Sequence, residues 1–258
     1  MKEKSVIVCL HGFGGTPGDW DRAAAVLRRR FPGLPIVAPA LPGHSGGAVI
    51  KEYSLPAMAA SLGGSLPGGS SWILIGYSLG GRIAMHLARA FPKNVRSMAL
   101  VSASPGIEDS AERAVRLHAD TGLSRQLESS PTRPELIQFW ERWTAQPVFA
   151  GGRHPRNAAS IEKRLAHRPA LLARILRESS PGVSEWMLPW LMEFPKPLAC
   201  FAGGLDAKYV EIANRIGRGI PAACVRILPK AAHALPAEEP VLLGGLLADW
   251  LLAIEDEG

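Results

Sequence analysis

Cysteine is scarce in this chain. Cys9, Cys200 and Cys224 are the only three in 258 residues, and each lies in or beside an apolar run typical of a buried strand. They form neither a disulfide framework nor a Cys-x-x-Cys metal spacing. We therefore expect small, unpaired core residues in a reducing compartment.

Long apolar runs are also missing. The run before His11 is too short for the core of a signal peptide, and no stretch reaches the roughly 18 apolar residues that cross a membrane. P-loop, His-Glu-x-x-His and EF-hand patterns do not occur, so we expect no cofactor and no metal. These absences predict a soluble, cytoplasmic protein, and they leave its oligomeric state open.

Charge of one sign is not concentrated anywhere, although the net charge is +6 and the isoelectric point is near 9.5. The basic residues are dispersed and interleaved with glutamates, which disfavours nucleic-acid binding. A small polyanionic substrate is the other explanation of the excess positive charge. With 47% hydrophobic residues, the chain can build one sizeable core plus an insertion.

The most informative segment that is present spans 76–80, Gly-Tyr-Ser-Leu-Gly. It follows a run that predicts a buried strand and precedes a run that predicts a helix. Glycines let the backbone crowd together at such a sharp turn, which raises the Ser78 hydroxyl into a cleft and frees the N–H of Leu79 to hold an oxyanion. Gly-x-Ser-x-Gly also arises by chance, but this context predicts a nucleophile elbow.

A second glycine-rich loop, His-Gly-Phe-Gly-Gly at 11–15, follows the first apolar strand. In enzymes with a nucleophile elbow, a loop at this place supplies the second oxyanion donor, here the N–H of Phe13. A glycine turn without function is the alternative.

Strand and helix patterns alternate up to about residue 103 and again from 198, which predicts an α/β fold with a mostly parallel sheet and helices on both faces. Strands are expected at 6–10, 35–38, 72–76, 97–102, 198–202 and 224–228, and helices at 19–30, 55–62, 79–91, 209–217 and 240–253. Between the two parts only helical patterns occur, at 109–119, 124–129, 134–143, 159–167, 169–178 and 183–192. We therefore divide the chain into a core (1–105), a helical cap (106–192) and the rest of the core (193–258). The insertion is expected between the sixth and seventh strands, the position of a lid.

Two polar residues follow strands late in the chain: Asp206 after 198–201, and His233 after 225–228. The order Ser, Asp, His is that of the α/β-hydrolase triad, in which His233 would activate Ser78 and Asp206 would orient the imidazole. Asp109 and Asp120 compete for the role of Asp206, but both fall in the predicted cap.

Arg82 lies four residues after Ser78, on the same face of the predicted helix. A guanidinium there can hold a carboxylate in a two-pronged contact beside the reacting atoms, while an ion pair with a surface acid is the alternative. The other histidines are expected to have structural roles: His11 and His44 in tight loops, His86 on a helix, and His118, His154 and His167 in the cap.

Longer segments resemble one family of α/β hydrolases. They are 76–82 (Gly-Tyr-Ser-Leu-Gly-Gly-Arg), 104–107 (Ser-Pro-Gly-Ile), the run 112–120 with its Glu-Arg-Ala start, and 143–149 (Trp-Thr-Ala-Gln-Pro-Val-Phe). Together they resemble MenH, the 2-succinyl-6-hydroxy-2,4-cyclohexadiene-1-carboxylate synthase of menaquinone biosynthesis, over nearly the whole chain. The elbow with Arg82 and the Trp-x-x-Gln-Pro-Val-Phe segment are the specific parts of this likeness.

The resemblance implies a role for individual residues. The triad would be Ser78, Asp206 and His233, with Phe13 and Leu79 as the oxyanion donors. The residues implied in substrate binding are Arg82, Arg116 and Arg164 (with Arg168 as the alternative to Arg164), the pocket walls Tyr77, Trp143 and Phe149, and Lys208. The chain departs from the family pattern at 231–232, where Ala-Ala stands in place of a common glycine. It also lacks the extra leading strands of many relatives, which suggests a trimmed sheet edge.

The implied reaction is a lyase step on 2-succinyl-5-enolpyruvyl-6-hydroxy-3-cyclohexene-1-carboxylate, in which Ser78 removes a proton and pyruvate is expelled. The three carboxylates of that substrate would explain several arginines in a cap that excludes water. A carboxylesterase or thioesterase with the same triad is the first alternative. A hydrolase-fold receptor with little turnover is the second, and an intact triad disfavours it.

Overall fold

Six parallel strands form one sheet in the computed structural model, which describes residues 5–130, 132–153 and 158–256. The strands are β1 (Ser5–Leu10), β2 (Ile36–Val37), β3 (Ser71–Tyr77), β4 (Val95–Val101), β5 (Leu198–Gly203) and β6 (Cys224–Leu228). Their order across the sheet is β2-β1-β3-β4-β5-β6, and every neighbouring pair is parallel. The carboxyl ends of all six therefore lie along one edge, which is where open α/β sheets carry their ligand sites.

Helices cover both faces of this sheet, as the α/β interpretation requires. One face packs against α1 (Asp21–Arg30) and α11 (Pro240–Asp256), and the other against α2 (Leu55–Gly63), α3 (Leu79–Ala90) and α9 (Ala207–Gly219). Val6 and Val8 of β1 join one hydrophobic cluster, while Ile7 and Cys9 join the other, because successive side chains of a strand point to opposite faces. A sheet buried on both faces explains why its strands are continuous apolar runs.

The segment 106–192, which we call the cap, contains no described strand. Its helices are α4 (Ser110–Glu128), α5 (Arg133–Thr144), α6 (Ala158–Leu165), α7 (Pro169–Glu178) and α8 (Leu188–Met192). The cap follows β4, the fourth described strand, and not a sixth strand as expected, although all four strands predicted before it are present. All neighbouring strands of the described sheet are parallel, whereas a mostly parallel sheet was predicted.

Three predicted cap helices were wrong in extent. Helices at 109–119 and 124–129 are one continuous helix, α4, which packs along α7 and passes through Gly122, where a side chain would meet nothing within 4 Å. The helix predicted at 183–192 is reduced to α8. Pro181 and Gly182 form a turn, and the N–H of Met187 donates a hydrogen bond to the carbonyl of Pro105 and not to a helical partner.

The remaining predicted elements occur, and none of their ends is shifted by more than three residues. The helix predicted at 19–30 begins as a 3-10 turn, Pro17–Trp20, and continues as α1. A 3-10 turn at Pro147–Phe149 and a short helix, α10 (Leu235–Glu238), were not predicted. Within the described ranges, no helix is both long and apolar enough to cross a membrane. His154 lies outside the described residues.

Candidate active site

The turn between β3 and α3 holds Ser78 in a strained backbone conformation, with φ 50° and ψ −110°. Residues other than glycine rarely adopt positive φ, and they do so where the surroundings enforce it. Here a Cβ on Gly76 would lie 2.5 Å from the Cα of Gly81, and one on Gly80 would lie 2.3 Å from the carbonyl oxygen of Leu10. The glycines are thus required by close backbone contact, and the Ser78 that they position lines a pocket.

His233 links Ser78 to Asp206. Its Nε2 lies 3.2 Å from the Oγ of Ser78, and its Nδ1 lies 2.9 Å from the Oδ2 of Asp206. An ionised carboxylate only accepts hydrogen bonds, so Nδ1 donates to Asp206 and Nε2 accepts from the Ser78 hydroxyl. The three residues follow β3, β5 and β6, and the shared edge of a parallel sheet brings them together.

Neither competing carboxylate reaches His233. Asp109 accepts a hydrogen bond from the N–H of Glu112 and so caps the start of α4. Asp120 is buried and accepts hydrogen bonds from Arg116 and Ser180. Asp206 is the carboxylate that the structure puts beside the imidazole.

Three aromatic rings surround His233. The ring centroids of Tyr77 and Phe149 lie 5.5 Å from that of the imidazole, and that of Tyr209 lies 4.5 Å away. Burial raises the pKa of both tyrosines, so both stay neutral hydroxyls at physiological pH. Tyr209 was not predicted, although its position three residues after Asp206, on the first turn of α9, is a signal that could have identified it.

The expected oxyanion donors, Phe13 and Leu79, line the same pocket as Ser78. Phe13 belongs to the loop after β1, and Leu79 is the first residue of α3. Neither backbone N–H donates a hydrogen bond to any residue that the structure describes. Both remain available to an oxygen atom bound in the pocket.

Three cationic side chains line this pocket together with Ser78: Arg82, Arg116 and Lys208. Burial, followed by the nearby Arg116, lowers the pKa of Arg82 to about 10, so the guanidinium stays charged. Burial opposes the charge of Arg116 too, but the hydrogen bond and the charge of Asp120 raise its pKa overall. Partial burial and then Arg116 lower the pKa of Lys208.

Arg82 does not present its whole guanidinium to the pocket. Its Nη2 donates to the carbonyl of Ser179 at 2.6 Å and to the hydroxyl of Ser184 at 2.9 Å. The alternative of a surface ion pair does not apply, since both acceptors are neutral groups of the cap. Arg82 therefore joins the elbow helix to the cap as well as facing the pocket.

Arg164 lies in a neighbouring cavity instead of the pocket of Ser78. That cavity has a volume of about 330 Å³, against about 80 Å³ for the Ser78 pocket, and Tyr77 and Phe149 also line it. Phe13 and Trp143 line both cavities, and their rings lie 4.8 Å apart. Arg168 directly precedes α7 and lines neither cavity. The predicted substrate residues are thus divided between two adjoining spaces.

Three buried histidines support the loop that carries Phe13. The Nε2 atoms of His11 and His44 accept from the N–H groups of Leu41 and Gly14, at 3.1 Å each. The cap residue His167 lies 3.2 Å from the carbonyl of Gly14 through its Nε2, and its Nδ1 accepts from the N–H of Ser45. The structural roles expected for these histidines agree with these contacts, but the link from the cap to the Phe13 loop was not foreseen.

No described cluster of three or more His, Cys, Asp or Glu residues could hold a metal ion. The thiols are free, with Cys9 and Cys200 buried and Cys224 partly buried. The site therefore contains a hydrogen-bonded series of the Ser78 hydroxyl, the His233 imidazole and the Asp206 carboxylate, and Arg82, Arg116 and Lys208 line the same pocket as Ser78.

Comparisons with known proteins extend over nearly the whole chain. The model of the alpha/beta hydrolase family matches residues 7–243. A 2-succinyl-6-hydroxy-2,4-cyclohexadiene-1-carboxylate synthase of Serratia proteamaculans is 30% identical over 249 residues, which are 95% of this chain and 92% of the relative. One from Klebsiella pneumoniae subsp. pneumoniae is 28% identical over 247 residues, covering 95% and 93% of the two chains. The solved structure of MenH from S. aureus shares the fold, with a TM-score of 0.86 at 23% identity over 98% of this chain and 95% of that one.

Proposed function

The chain belongs to the alpha/beta hydrolase family and, within it, to the 2-succinyl-6-hydroxy-2,4-cyclohexadiene-1-carboxylate synthases, and we propose that it forms that product by eliminating pyruvate from 2-succinyl-5-enolpyruvyl-6-hydroxy-3-cyclohexene-1-carboxylate. It is an enzyme, a lyase on a hydrolase scaffold, and its proposed place is menaquinone biosynthesis. The observation that carries the proposal is that Ser78 shares one small pocket with Arg82, Arg116 and Lys208. An enzyme that acts on a tricarboxylate needs cations beside the reacting atoms, whereas a general esterase does not.

Proton abstraction is assigned to Ser78 and His233. The hydroxyl already donates to Nε2 of the imidazole, so His233 can take the hydroxyl proton while the Ser78 oxygen removes a proton from the substrate ring. The electrons of the broken C–H bond form a ring double bond, and the C–O bond to the enolpyruvyl group breaks. The leaving enolate takes a proton back from His233 and becomes pyruvate. Asp206 stabilises the imidazolium between these two transfers.

Charge that develops on the substrate during proton removal needs donors that are fixed beforehand. The N–H groups of Phe13 and Leu79 would hold the oxyanion, since both line the pocket and neither is occupied by another described residue. These two donors, in the loop after β1 and at the start of α3, need little reorganisation, because the fold holds them in place before the substrate binds.

The substrate carboxylates are assigned to the cations. Arg82 and Arg116 lie beside Ser78, with Lys208 near the start of α9, and they would hold the carboxylates nearest the reacting ring. Arg164 would hold a carboxylate that reaches the larger cavity, whose walls include Tyr77, Trp143 and Phe149. Phe13 and Trp143 border both spaces and their rings pack against each other, so a substrate that spans both spaces would lie alongside this pair.

The test is an assay with freshly generated substrate in which pyruvate release is followed for the native protein and for Ser78→Ala. We expect fast release from the native protein and a loss of about 10³-fold or more in the variant. Release no faster than the spontaneous decay of the substrate would overturn the proposed reaction.

Ester or thioester hydrolysis is the second candidate, and the hydrogen-bonded series Ser78, His233 and Asp206 favours it, because hydrolases use the same series. A panel of activated esters distinguishes the two. A hydrolase would release the alcohol or thiol in a burst and would tolerate Arg82→Ala, whereas the lyase would hydrolyse the panel slowly and depend on Arg82.

A further inference from the structure

The loop that carries His233 is anchored at three consecutive backbone N–H groups. The N–H of Ala232 donates to Oε2 of Glu238 at 2.8 Å, and the N–H of Ala234 donates to Oε1 of the same carboxylate at 3.0 Å. Between them, the N–H of His233 donates to the carbonyl of Val148, in the cap, at 3.1 Å. Glu238 therefore fixes the peptide unit that follows His233, and the cap carbonyl of Val148 fixes the unit that precedes it.

Glu238 also binds the cap. Its Oε2 accepts a third hydrogen bond, from the N–H of Arg153, at 3.2 Å. A Cβ at position 152 would lie 2.4 Å from that oxygen and 2.7 Å from the Cβ of Ala232, so only glycine lets the cap loop approach this closely. The cap segment 148–153 and the His233 loop thus form one hydrogen-bonded unit around the carboxylate.

The environment of Glu238 is unusual for an acidic residue. Its side chain is buried with 8% exposure, and no Lys, Arg or His of the described residues lies within salt-bridge distance of it. Buried carboxylates are costly unless they are fully hydrogen-bonded, and three backbone N–H donors meet that need. Glu239, the next residue, is only partly buried and has an arginine within reach instead: its Oε1 lies 3.9 Å from Nη1 of Arg153.

We infer that Glu238 is a positioning residue, which holds His233 at hydrogen-bonding distance from Ser78 and Asp206 and makes that position depend on the docked cap. This inference rests on the proposed role of His233 as the base. A glutamine of the same size cannot replace the carboxylate, because its amide nitrogen would face at least one of the three N–H donors. The glutamine amide loses fewest hydrogen bonds when its oxygen takes the place of Oε2, which accepts two N–H groups, and its nitrogen takes the place of Oε1. The N–H of Ala234, in the peptide unit that follows His233, is then left unpaired.

The test compares Glu238→Gln with Glu239→Gln, the same change one residue later, where no backbone N–H is bonded. In Glu238→Gln we expect kcat for pyruvate release to fall about 10²-fold with KM nearly unchanged, since small displacements of a catalytic group have effects of that size. We expect Glu239→Gln to match the native protein. Glu238→Asp keeps the charge but is one methylene too short to reach all three donors, and it should lose activity as well.

A readout that does not depend on the reaction accompanies the kinetics. We expect the proton on Nδ1 of His233, hydrogen-bonded to Asp206, to give a downfield NMR resonance that shifts or broadens in Glu238→Gln and Gly152→Ala but not in Glu239→Gln. Native kcat and an unchanged resonance in Glu238→Gln would overturn the inference. So would full activity in Glu238→Asp, or an activity loss that only follows the fraction of unfolded protein. If the native protein released no pyruvate, the proposed function would fail, while the resonance would still report whether Glu238 positions His233.

Discussion

Arg116 donates a hydrogen bond from Nε to Oδ2 of Asp120 across 2.8 Å, one turn further along α4. The same oxygen accepts from the hydroxyl of Ser180 at 2.6 Å, so the buried carboxylate is held from two sides. This pair uses Nε of Arg116, so neither terminal nitrogen is bonded to a described residue, and Arg116 and Asp120 both line the Ser78 pocket. Asp120 was a candidate for the triad, and its observed role is to fix a cation.

Asp120→Asn should therefore weaken catalysis without touching the triad. We expect kcat/KM for pyruvate release to fall about 10- to 100-fold, because an amide holds the guanidinium less firmly than a charged acceptor does. Asp109→Asn is the matched control on the same helix, since asparagine caps a helix as well as aspartate does. Equal kcat/KM in both variants would contradict the assigned role of Asp120.

Arg82→Ala should remove a substrate contact and a cap contact together. The expected loss in kcat/KM corresponds to about 2–5 kcal/mol of transition-state binding, because a buried charge-assisted contact disappears. Arg89 lies on the same helix and also contacts the cap, through an exposed ion pair with Glu185. Arg89→Ala should stay near the native value, and a native value in Arg82→Ala would exclude the carboxylate contact.

Gly80→Ala should destabilise the fold, because its Cβ would enter the space of the Leu10 carbonyl, which is backbone and cannot rotate away. Overpacking of this kind costs about 1–3 kcal/mol of the free energy of unfolding, and more where the neighbours are rigid. Gly245→Ala is the control: this glycine lies within α11, where a Cβ meets nothing within 4 Å. That variant should gain about 0.5–1 kcal/mol. Chemical denaturation of both variants measures the difference, and equal midpoints would disprove the steric argument.

Acid should destabilise the protein through its buried histidines. Burial lowers the pKa of His11 and of His86 to about 4, and it also lowers the pKa values of His44 and His167. The unfolded chain then binds protons near pH 6.5, where the folded protein does not. The free energy of unfolding is therefore highest above about pH 6.5 and falls as the pH drops towards 4.

His86→Leu isolates one of these groups. Nε2 of His86 is buried without a hydrogen-bond partner in the described structure, so leucine removes both the polar atom and its titration. Between pH 6.5 and 4.5 the variant should lose about 1–3 kcal/mol less stability than the native protein. His118→Gln, on the exposed side of α4, should keep the native pH dependence of urea denaturation. An identical pH dependence in His86→Leu would show that its imidazole does not contribute.

The amino-acid sequence by itself determined the features that depend on local structure. The elbow at Ser78 is a strand, a tight turn and a helix within a few residues. Its glycines indicate, from the sequence alone, that backbone segments pack closely there. The order of Ser78, Asp206 and His233, each after a strand, was enough to expect them together, because a parallel sheet brings its strand ends to one edge. The fold class was confirmed by the sheet and by the family match.

Only the tertiary structure decided what depends on contacts between distant segments. It put Arg164 in a second cavity, because the position of α6 is set by packing across the cap and not by its own periodicity. It joined two predicted helices into α4, since contacts with α7 outweigh the weak propensity around Gly122. It also brought Glu238 to the N–H groups of Ala232 and Ala234, the neighbours of His233, and to the cap loop 85 residues away along the chain. A hydrogen bond to a backbone N–H leaves no residue-type signal at the donor, so no pattern in the sequence could have revealed this contact.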